Sequence, residues 1–451
     1  MSRKTNRREF IAASASVASA FSILPRHVCG ATGRPAPSDK LNVACIGIGG
    51  QGGGVSRDLA KLANVNIVAV CDVQQAHEAK MAKEYPNSPF YQDYRVMLEK
   101  EKAIDAVMVA TPDHWHAPIS LHAMRLGKHV YCEKPLTHTI EEARLMQRVA
   151  TEQKVVTQMG NNGHGGEGLR QTKEWIDAGV IGKVTEVHTW SDRPGKFWQT
   201  QGKPKPTHSE PIPATLDWDL WLGPAAYRPY HSSYAPRQWR GFYDFGCGAL
   251  GDMMVHNADP AWYALDLGAP YLVEAETGPP NPDTFPEWCI VTWHFASKGK
   301  NGPIKLVWYD GGKKPPLPPG SEPDRKLDDN GIYFVGDKGA MICGGWSGAP
   351  RLVPDSAMAN FEPPKPTIAR SSGHRVEWVQ ACIDGKPEDA KAGFWYSAPF
   401  TESLLVGVLP IRLGKKIEWD AIAMQATNAP EADALIRKTY RKGFELGVTQ
   451  Q

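Results

Sequence analysis

The chain has 451 residues, of which 41% are hydrophobic and 22% charged, so it can bury a sizeable core, and its length favours two domains. Its 51 Lys and Arg residues balance 49 Asp and Glu residues, and the formal charge of +2 argues against a nucleic-acid surface. The eight cysteines are scattered, lack zinc-ligand spacing and assign no disulfide.

The first residues form a segment of their own. Arg7 and Arg8 stand just before a mildly apolar, Ala/Ser-rich run, which is typical of a twin-arginine export signal. The run is shorter than the ~20 residues that a membrane span needs. We therefore predict a signal peptide over residues 1–31, a leader over 32–39, a periplasmic location, and no stable membrane insertion once the signal is removed.

A glycine-rich turn follows the first predicted strand. The stretch "LNVACIGIGGQGGGVSRDLA" passes from an apolar run through a GxGxxG pattern into a helix-compatible segment. Glycines let the backbone approach a pyrophosphate, and the helix N-terminus supplies free N–H groups. The residues predicted to bind the cofactor here are Gly47, Gly49, Gly50, Gln51 and Gly52.

The next predicted strand, "VNIVAVCDV", ends in Asp72. An acidic residue about 20 positions after the last glycine accepts hydrogen bonds from the adenosine ribose hydroxyls. Its carboxylate would repel a 2'-phosphate, so NAD is favoured over NADP. The alternative is a solvated aspartate at a strand end.

Two more predicted strands, in "AIDAVMVATPDHWHAP" and "KHVYCEKP", alternate with helices. This alternation predicts a doubly wound parallel sheet, an α/β Rossmann domain, over residues 40–160. Ligands of such sheets bind at the carboxyl ends of the strands. We therefore expect a second group of residues near the nicotinamide end of the cofactor: Thr111, Pro112, His116, Glu133 and Lys134.

Beyond residue 160 the pattern changes to alternating segments such as "KVTEVHTWS", "WCIVTWHFAS" and "IKLVWYDG". They predict an α+β domain over residues 161–451 with an open, mainly antiparallel sheet. Aromatic and arginine side chains interleave between residues 190 and 243, and Arg193 and Trp239 are candidates for contact with a sugar ring. Core packing is the alternative for these aromatics.

In "GALGDMMVHNADP", Asp252 and His256 are four residues apart, so a helix would place both side chains on one face. The pair could be a stabilising hydrogen bond, but the Gly-rich turn before it favours a pocket wall. His164, in "NNGHGG", is a further substrate-binding candidate. His114, His116 and His164 could suggest a metal, but we predict none, because no carboxylate-rich ligand cluster accompanies them.

The glycine loop, "CEKP" and "GDMMVH" together resemble the Gfo/Idh/MocA oxidoreductase family, over about residues 40–440. The resemblance implies a Rossmann domain that binds nicotinamide dinucleotide and a sheet domain that holds a sugar or cyclitol, with self-association by analogy. It implies that Lys134 contacts substrate and cofactor, and that Asp252 and His256 form a pair whose histidine is the general base.

Reference pKa values agree with that assignment. Histidine starts near 6.5, whereas lysine starts near 10.4 and would need a drop of ~3 units, about 4 kcal/mol. We therefore predict that His256 is the base, Lys134 is the polarising donor and Asp252 is the third catalytic residue. A relay involving both His256 and Lys134 stays open.

The export prediction bears on the reaction, because folded proteins use the twin-arginine route and NAD is made in the cytoplasm. The protein would leave the cytoplasm with NAD tightly bound. Because this NAD cannot exchange, its redox state would have to be restored within the site during each reaction cycle. Two enzyme hypotheses follow: an NAD(P)-dependent oxidoreductase acting on a CH–OH group of a sugar, glycoside or cyclitol, or a redox-neutral glycoside-cleaving enzyme that uses transient oxidation, elimination and hydration. NAD-dependent α-N-acetylgalactosaminidases of the family tend to carry E-V-P where this chain has Glu133-Lys134-Pro135, which argues against that subgroup. A non-catalytic sugar-binding protein is the third hypothesis; Lys134, Asp252 and His256 count against it.

Overall fold

A computed structural model describes residues 40–298 and 302–446. The predicted signal peptide and leader lie outside the described residues. In the described part of the chain, every helix is too short or too polar to cross a lipid bilayer.

The first sheet has six parallel strands in the order β3-β2-β1-β4-β5-β6. This confirms the predicted doubly wound sheet. The strand order reverses between β1 and β4, the position where such sheets bind their ligands. The strands are β1 (Leu41–Ile46), β2 (Val65–Cys71), β3 (Phe90–Tyr91), β4 (Ala106–Val109), β5 (His129–Cys132) and β6 (Thr157–Met159).

Five helices connect these strands. The longest begins with a capping box, in which the Thr139 side chain accepts from the Glu142 N–H and the Glu142 side chain accepts from the Thr139 N–H. The sequence did not predict β3 or α3, because both are short. The helices are α1 (Gly50–Ala60), α2 (Glu78–Glu84), α3 (Tyr94–Lys100), α4 (His116–Arg125) and α5 (Ile140–Gln153).

The second sheet has nine strands in the order β13-β12-β11-β7-β10-β9-β8-β14-β15. All neighbours are antiparallel except β7 and β10, which confirms the mainly antiparallel sheet. The strands are β7 (Val184–Trp190), β8 (Leu272–Thr277), β9 (Cys289–Phe295), β10 (Ile304–Tyr309), β11 (Gly331–Gly336), β12 (Gly339–Gly344), β13 (Pro350–Val353), β14 (Ile417–Asp420) and β15 (Gln425–Ala426).

The helices of the second half do not all stay with the second sheet. Trp378 is fully buried, and its ring lies 5.5 Å from the ring of Tyr131 on β5. Arg144 of α5 bonds Glu402 at 2.7 Å. The chain therefore returns to the first sheet, and the two domains share packing. These helices are α6 (Glu167–Asp177), α7 (Trp218–Leu222), a π-helical turn (Leu250–Met254), α8 (Val255–Asn257), α9 (Asp259–Leu265), α10 (His374–Asp384), α11 (Phe394–Leu405), α12 (Val408–Leu413) and α13 (Asp433–Ile436).

The turn between β1 and α1 leaves no room for side chains at two glycines. A Cβ on Gly52 would lie 1.8 Å from the Gly47 carbonyl oxygen, and one on Gly47 would lie 2.6 Å from the Ala110 carbonyl oxygen. Gly47 also has a φ of +78°, which a residue with a Cβ rarely adopts. These contacts bring α1 against the ends of β1 and β4.

Replacing Gly52 by Ala should therefore destabilise the protein by about 1–3 kcal/mol, as overpacking does. Gly54 is the matched control in the same helix, because a Cβ there meets nothing within 4 Å. Gly54→Ala should stabilise the helix by about 0.5–1 kcal/mol. Urea denaturation measures both changes, and equal effects would contradict the packing argument.

Several buried histidines are held in the neutral form. His114, His116, His256 and His374 are each less than 8% exposed. Burial lowers the pKa of His114 and His374 to about 3 and lowers those of His116 and His256 as well. The protein therefore resists protonation at positions that an unfolded chain would protonate below about pH 6.5.

Replacing His114 by Gln should make the stability of the protein less sensitive to acid. The native ring stays neutral down to about pH 3, whereas the unfolded chain binds a proton there below about pH 6.5. The free energy of unfolding then falls by about 1.4 kcal/mol per pH unit as the pH drops between those values. Urea denaturation at a series of pH values measures how the free energy of unfolding depends on pH. Between these pH values, that dependence should be weaker in the variant by up to about 1.4 kcal/mol per pH unit. His374→Gln should behave alike, and parallel profiles for wild type and both variants would refute the assignment.

Candidate active site

The glycine loop is tied to the end of β2 by Asp72. Asp72 Oδ2 accepts from the N–H groups of Ile48 at 3.0 Å and Gly49 at 3.2 Å. His77 Nδ1 lies 3.1 Å from the same oxygen, and the Asp72 carboxylate raises the pKa of His77. Helix α1 begins at Gly50 without a side-chain cap, so its first-turn N–H groups are available to a phosphate. The Asp72 carboxylate stands at the glycine loop, and its predicted contact with the adenosine ribose stays a prediction.

Two buried polar atoms lie at the carboxyl ends of the central strands. Thr111 Oγ1 follows β4, Glu133 Oε1 follows β5, and neither has a hydrogen-bond partner. Burial raises the pKa of the Glu133 carboxyl, against the nearby charge of Lys134. Unpaired buried polar atoms cost free energy, so they mark places where a polar ligand fits. With the open helix N-terminus, they fit the two ends of a dinucleotide.

His116 occupies a bridging position between these strand ends. Its Nδ1 lies 2.7 Å from the Pro135 carbonyl oxygen and its Nε2 lies 2.9 Å from the Thr111 carbonyl oxygen. A carbonyl oxygen only accepts, so the neutral ring donates to one of the two and turns its unprotonated nitrogen toward the other. His116, which the sequence predicted to bind the cofactor, holds in place the loops that carry Thr111 and Lys134. Pro112 opens the 3-10 turn that follows, with its carbonyl accepting from the Trp115 N–H.

A cluster of charged side chains joins the two domains. Lys134 Nζ donates to Asp252 Oδ1 at 2.6 Å, so "CEKP" and "GDMMVH" meet as predicted. Arg240 lies between two carboxylates, 3.4 Å from Asp252 and 3.0 Å from Asp113. Arg193 Nε approaches Asp252 Oδ2 at 3.7 Å. Although burial acts in the opposite direction, Lys134 and Arg240 hold the pKa of the Asp252 carboxyl well below its usual range.

Asp252 and His256 lie on consecutive turns of different kinds. Asp252 belongs to the π-helical turn Leu250–Met254, and His256 lies in α8, where the sequence predicted one continuous α-helix. Single π-helical turns occur often at functional sites. His256 follows Asp252 by four residues, and the charges of Lys134 and Asp252 both act on its ring.

His256 is a neutral imidazole with an unused nitrogen. It is 4% exposed, and its Nδ1 has no hydrogen-bond partner. Burial, together with the positive charge of Lys134, holds its pKa well below the usual value, whereas Asp252 acts to raise it. A neutral ring beside a carboxylate has the chemistry of a proton acceptor.

The sequence did not identify Trp346, an aromatic residue next to His256. The ring centroids of Trp346 and His256 are 6.0 Å apart, and Trp346 is 45% exposed. Trp346 and Ser347 have positive φ angles of 56° and 59°, which is costly for residues with side chains. The Trp346 N–H donates to Asn257 Oδ1 at 3.2 Å, which fixes the loop. The signal in the sequence was a lone "GGW" between two strand-like segments.

Asp113 and Arg240 also escaped the sequence-based prediction as site residues. Asp113 follows the Thr111-Pro112 strand end directly, and that position was the available signal. Arg240 lies in a short 3-10 helix (Gln238–Gly241), and only its long-range contact with Asp113 reveals that it belongs to the cluster. Trp239 flanks this cluster, with its ring centroid 4.3 Å from the Arg240 guanidinium.

The structure places His164 apart from the Lys134–Asp252 pair. His164 is 1% exposed, and its Nδ1 lies 3.0 Å from Asp259 Oδ2. Tyr396 donates to the same carboxylate at 2.5 Å and packs against the His164 ring. The predicted substrate role of His164 stays a prediction, and the contacts of its ring are those of a buried polar network.

Two models of one oxidoreductase family match the chain. The model of the family's NAD-binding Rossmann fold matches residues 41–161, and that of its C-terminal alpha/beta domain matches residues 166–304. The first match contains the glycine loop, Asp72 and Lys134, and the second contains Asp252 and His256.

Curated relatives match over part of the chain. A "Glycosyl hydrolase family 109 protein" of Shewanella sp. (strain W3-18-1) is 32% identical over 156 residues, which are 32% of this chain and 34% of that protein. The "Levoglucosan dehydrogenase" of Pseudarthrobacter phenanthrenivorans is 30% identical over 204 residues, which are 44% of this chain and 42% of that protein. The matched stretches thus span less than half the length of either relative.

A solved structure covers more of the chain at lower identity. The WlbA dehydrogenase from Bordetella pertussis, in complex with NADH and UDP-GlcNAcA, has a TM-score of 0.58 and 17% identity, and the match covers 84% of this chain and 99% of that chain. It shows that the two-domain fold is shared. The two family models, which match residues 41–161 and 166–304, establish that this chain belongs to the Gfo/Idh/MocA oxidoreductase family, with NAD as its cofactor.

Proposed function

We propose that this protein is an NAD-dependent oxidoreductase that acts on a hydroxyl group of a sugar, glycoside or cyclitol and keeps its cofactor tightly bound. One observation carries the proposal. The neutral His256, with a free Nδ1, lies beside the Lys134–Asp252 pair where the second domain meets the carboxyl edge of the NAD-binding sheet.

In the proposed reaction, His256 accepts the hydroxyl proton of the substrate at Nδ1. The imidazolium so formed is stabilised by the Asp252 carboxylate. Lys134 donates a hydrogen bond to the substrate oxygen while Asp252 holds its ammonium group in position. Arg193 and Arg240 keep Asp252 ionised and oriented. When bound, NAD would accept the hydride from the carbon that bears the reacting hydroxyl.

The surroundings of His256 suit a carbohydrate ring. Trp346 offers an exposed aromatic face, and Trp239 lies by the charged cluster. Aromatic faces pack against the C–H faces of a ring while charged donors bind its hydroxyls. The similarity to levoglucosan dehydrogenase supports the same substrate class.

A redox-neutral glycoside-cleaving enzyme is the second candidate. The similarity to a glycosyl hydrolase family 109 protein favours it. The same base and donor would serve, with transient oxidation followed by elimination, hydration and re-reduction.

We further propose export by the twin-arginine route, on the arginine pair of residues 1–31, and a homo-oligomeric state.

The two candidates differ in what accumulates during the reaction. Holoprotein should be incubated separately with a panel of free sugars and with aryl glycosides. Stable reduction of the bound nicotinamide by a free sugar is the result that the oxidoreductase predicts. Release of the aryl group without net reduction would favour cleavage instead. Protein that neither carries nor binds a dinucleotide would refute both and leave a non-catalytic binding protein.

Replacing His256 by Ala should abolish reduction of the bound nicotinamide while the nucleotide content is unchanged. The expected loss is roughly 100-fold or more, the range for removing a general base. His122→Ala is a suitable control, because the His122 ring packs against Tyr94 on the covering helices of the first sheet. A His256→Ala variant as active as the control would refute the assignment of the base.

Trp346→Ala should raise KM by roughly 2- to 10-fold, since an aromatic contact contributes about 0.5–1.5 kcal/mol. Trp346→Phe should retain most of the affinity. Trp395→Ala, at a tryptophan that is 49% exposed, is the matched control. NAD binding should be unchanged in all three variants. An unaltered KM in Trp346→Ala would show that the ring does not contact the substrate.

A further inference from the structure

Three potential metal ligands meet where the irregular stretches before and after α7 lie side by side. His208 is exposed, and Glu210 and His231 are partly buried. One ligand atom from each lies within 4.8 Å of the other two. In the described part of the chain, this is the one group of three or more His, Cys, Asp or Glu side chains with that geometry. It is separate from the charged cluster around Asp252.

Two of the three separations match those of ligands on one zinc ion, and the third is within 4.8 Å. His208 Nε2 and His231 Nε2 are 3.3 Å apart, and His231 Nε2 lies 3.3 Å from Glu210 Oε1. Zinc bonds of about 2.0–2.2 Å at a tetrahedral angle place two ligand atoms about 3.3–3.5 Å apart. The same separations are long for a hydrogen bond. We propose that His208, Glu210 and His231 bind a zinc ion, with a fourth position open to water.

Neighbouring serines hold two of the ligands. The Ser232 N–H donates to Glu210 Oε2 at 2.8 Å, and the Ser232 hydroxyl donates to Glu210 Oε1 at 3.2 Å. Ser233 Oγ lies 2.9 Å from His231 Nδ1, so it accepts from that nitrogen when Nε2 binds zinc. The Ser233 N–H also lies 3.0 Å from Nδ1, and it must turn away when the ring changes tautomer. Zinc binding therefore includes a small local rearrangement at Ser233.

The zinc ion would join two stretches of irregular chain. Glu210 already pairs with the other stretch through its N–H, which donates to the Tyr230 carbonyl oxygen at 2.9 Å. Thr215, a few residues after Glu210, contacts the first domain. Its carbonyl oxygen accepts from the N–H of Gln75, which follows Asp72 by three residues, at 2.8 Å. Zinc would thus stiffen the loop where it contacts the end of β2. The role is structural and does not depend on the proposed hydroxyl chemistry.

Full-length protein without a polyhistidine tag provides the test, with NAD bound. It is stripped with a chelator, incubated with zinc chloride and passed through a gel-filtration column before elemental analysis. The expected result is one zinc ion per chain and a higher Tm with zinc. His208→Ala and His231→Ala should each weaken zinc binding at least roughly tenfold.

His294→Ala is the matched control, because His294 bonds Glu274 at 3.0 Å without a third ligand. It should keep the zinc stoichiometry of the wild type. Glu210→Gln tests the carboxylate with little change in shape and should also weaken binding. Unchanged nucleotide content confirms that each variant is folded. Zinc retained equally by the His208 and His231 variants, or absent from the wild type, would overturn the proposal.

Discussion

The ion pair between Lys134 and Asp252 is the interaction on which the site depends. It joins a strand end of the NAD-binding sheet to a helical turn of the second domain, at 2.6 Å and largely out of water. A buried charge without a partner is costly, so each residue requires the other to be in place. The geometry of the proposed catalytic residues is therefore fixed by contact between the domains rather than by either domain alone.

That pair is supported by further charges that follow the same logic. Arg240 connects Asp252 to Asp113, which is fully buried and also accepts from the Cys247 N–H at 3.0 Å. The lysine, two arginines and two aspartates leave the cluster with one positive charge in excess if all five are ionised. His256 beside them stays uncharged, because burial and the neighbouring cations oppose its protonation. In the proposed reaction, the charged Lys134 donates a hydrogen bond and the neutral His256 accepts a proton, and their different electrostatic surroundings suit these two roles.

Local patterns predicted much of this arrangement. Strand-to-helix glycine spacing predicted the glycine loop at the end of β1, and strand ends predicted that Thr111, Glu133 and Lys134 lie at one edge of the sheet, because parallel strands carry their ligands there. Asp252 and His256 were recognisable as a pair, although the π-helical turn was not, since it depends on packing around Leu250–Met254. Trp346 lies in a loop and Arg240 in a short 3-10 helix, and the positions of both rest on distant contacts, such as that of Trp346 with Asn257. Single-sequence periodicity carries no information about such contacts.

The return of α10 to the first sheet has a consequence for how the protein is made. Val43 on β1 and Tyr131 on β5 belong to the same buried cluster as Trp378, far along the chain. Helices α1 and α2 contribute Val55, Leu59 and Met81 to this cluster, but the part of the sheet that Trp378 covers stays exposed to water until that residue has emerged from the ribosome. The nucleotide domain therefore cannot complete its folding during synthesis of its own residues, and long-range contacts of this kind slow folding. Chaperone protection of the nascent chain would be most valuable in the interval before α10 emerges.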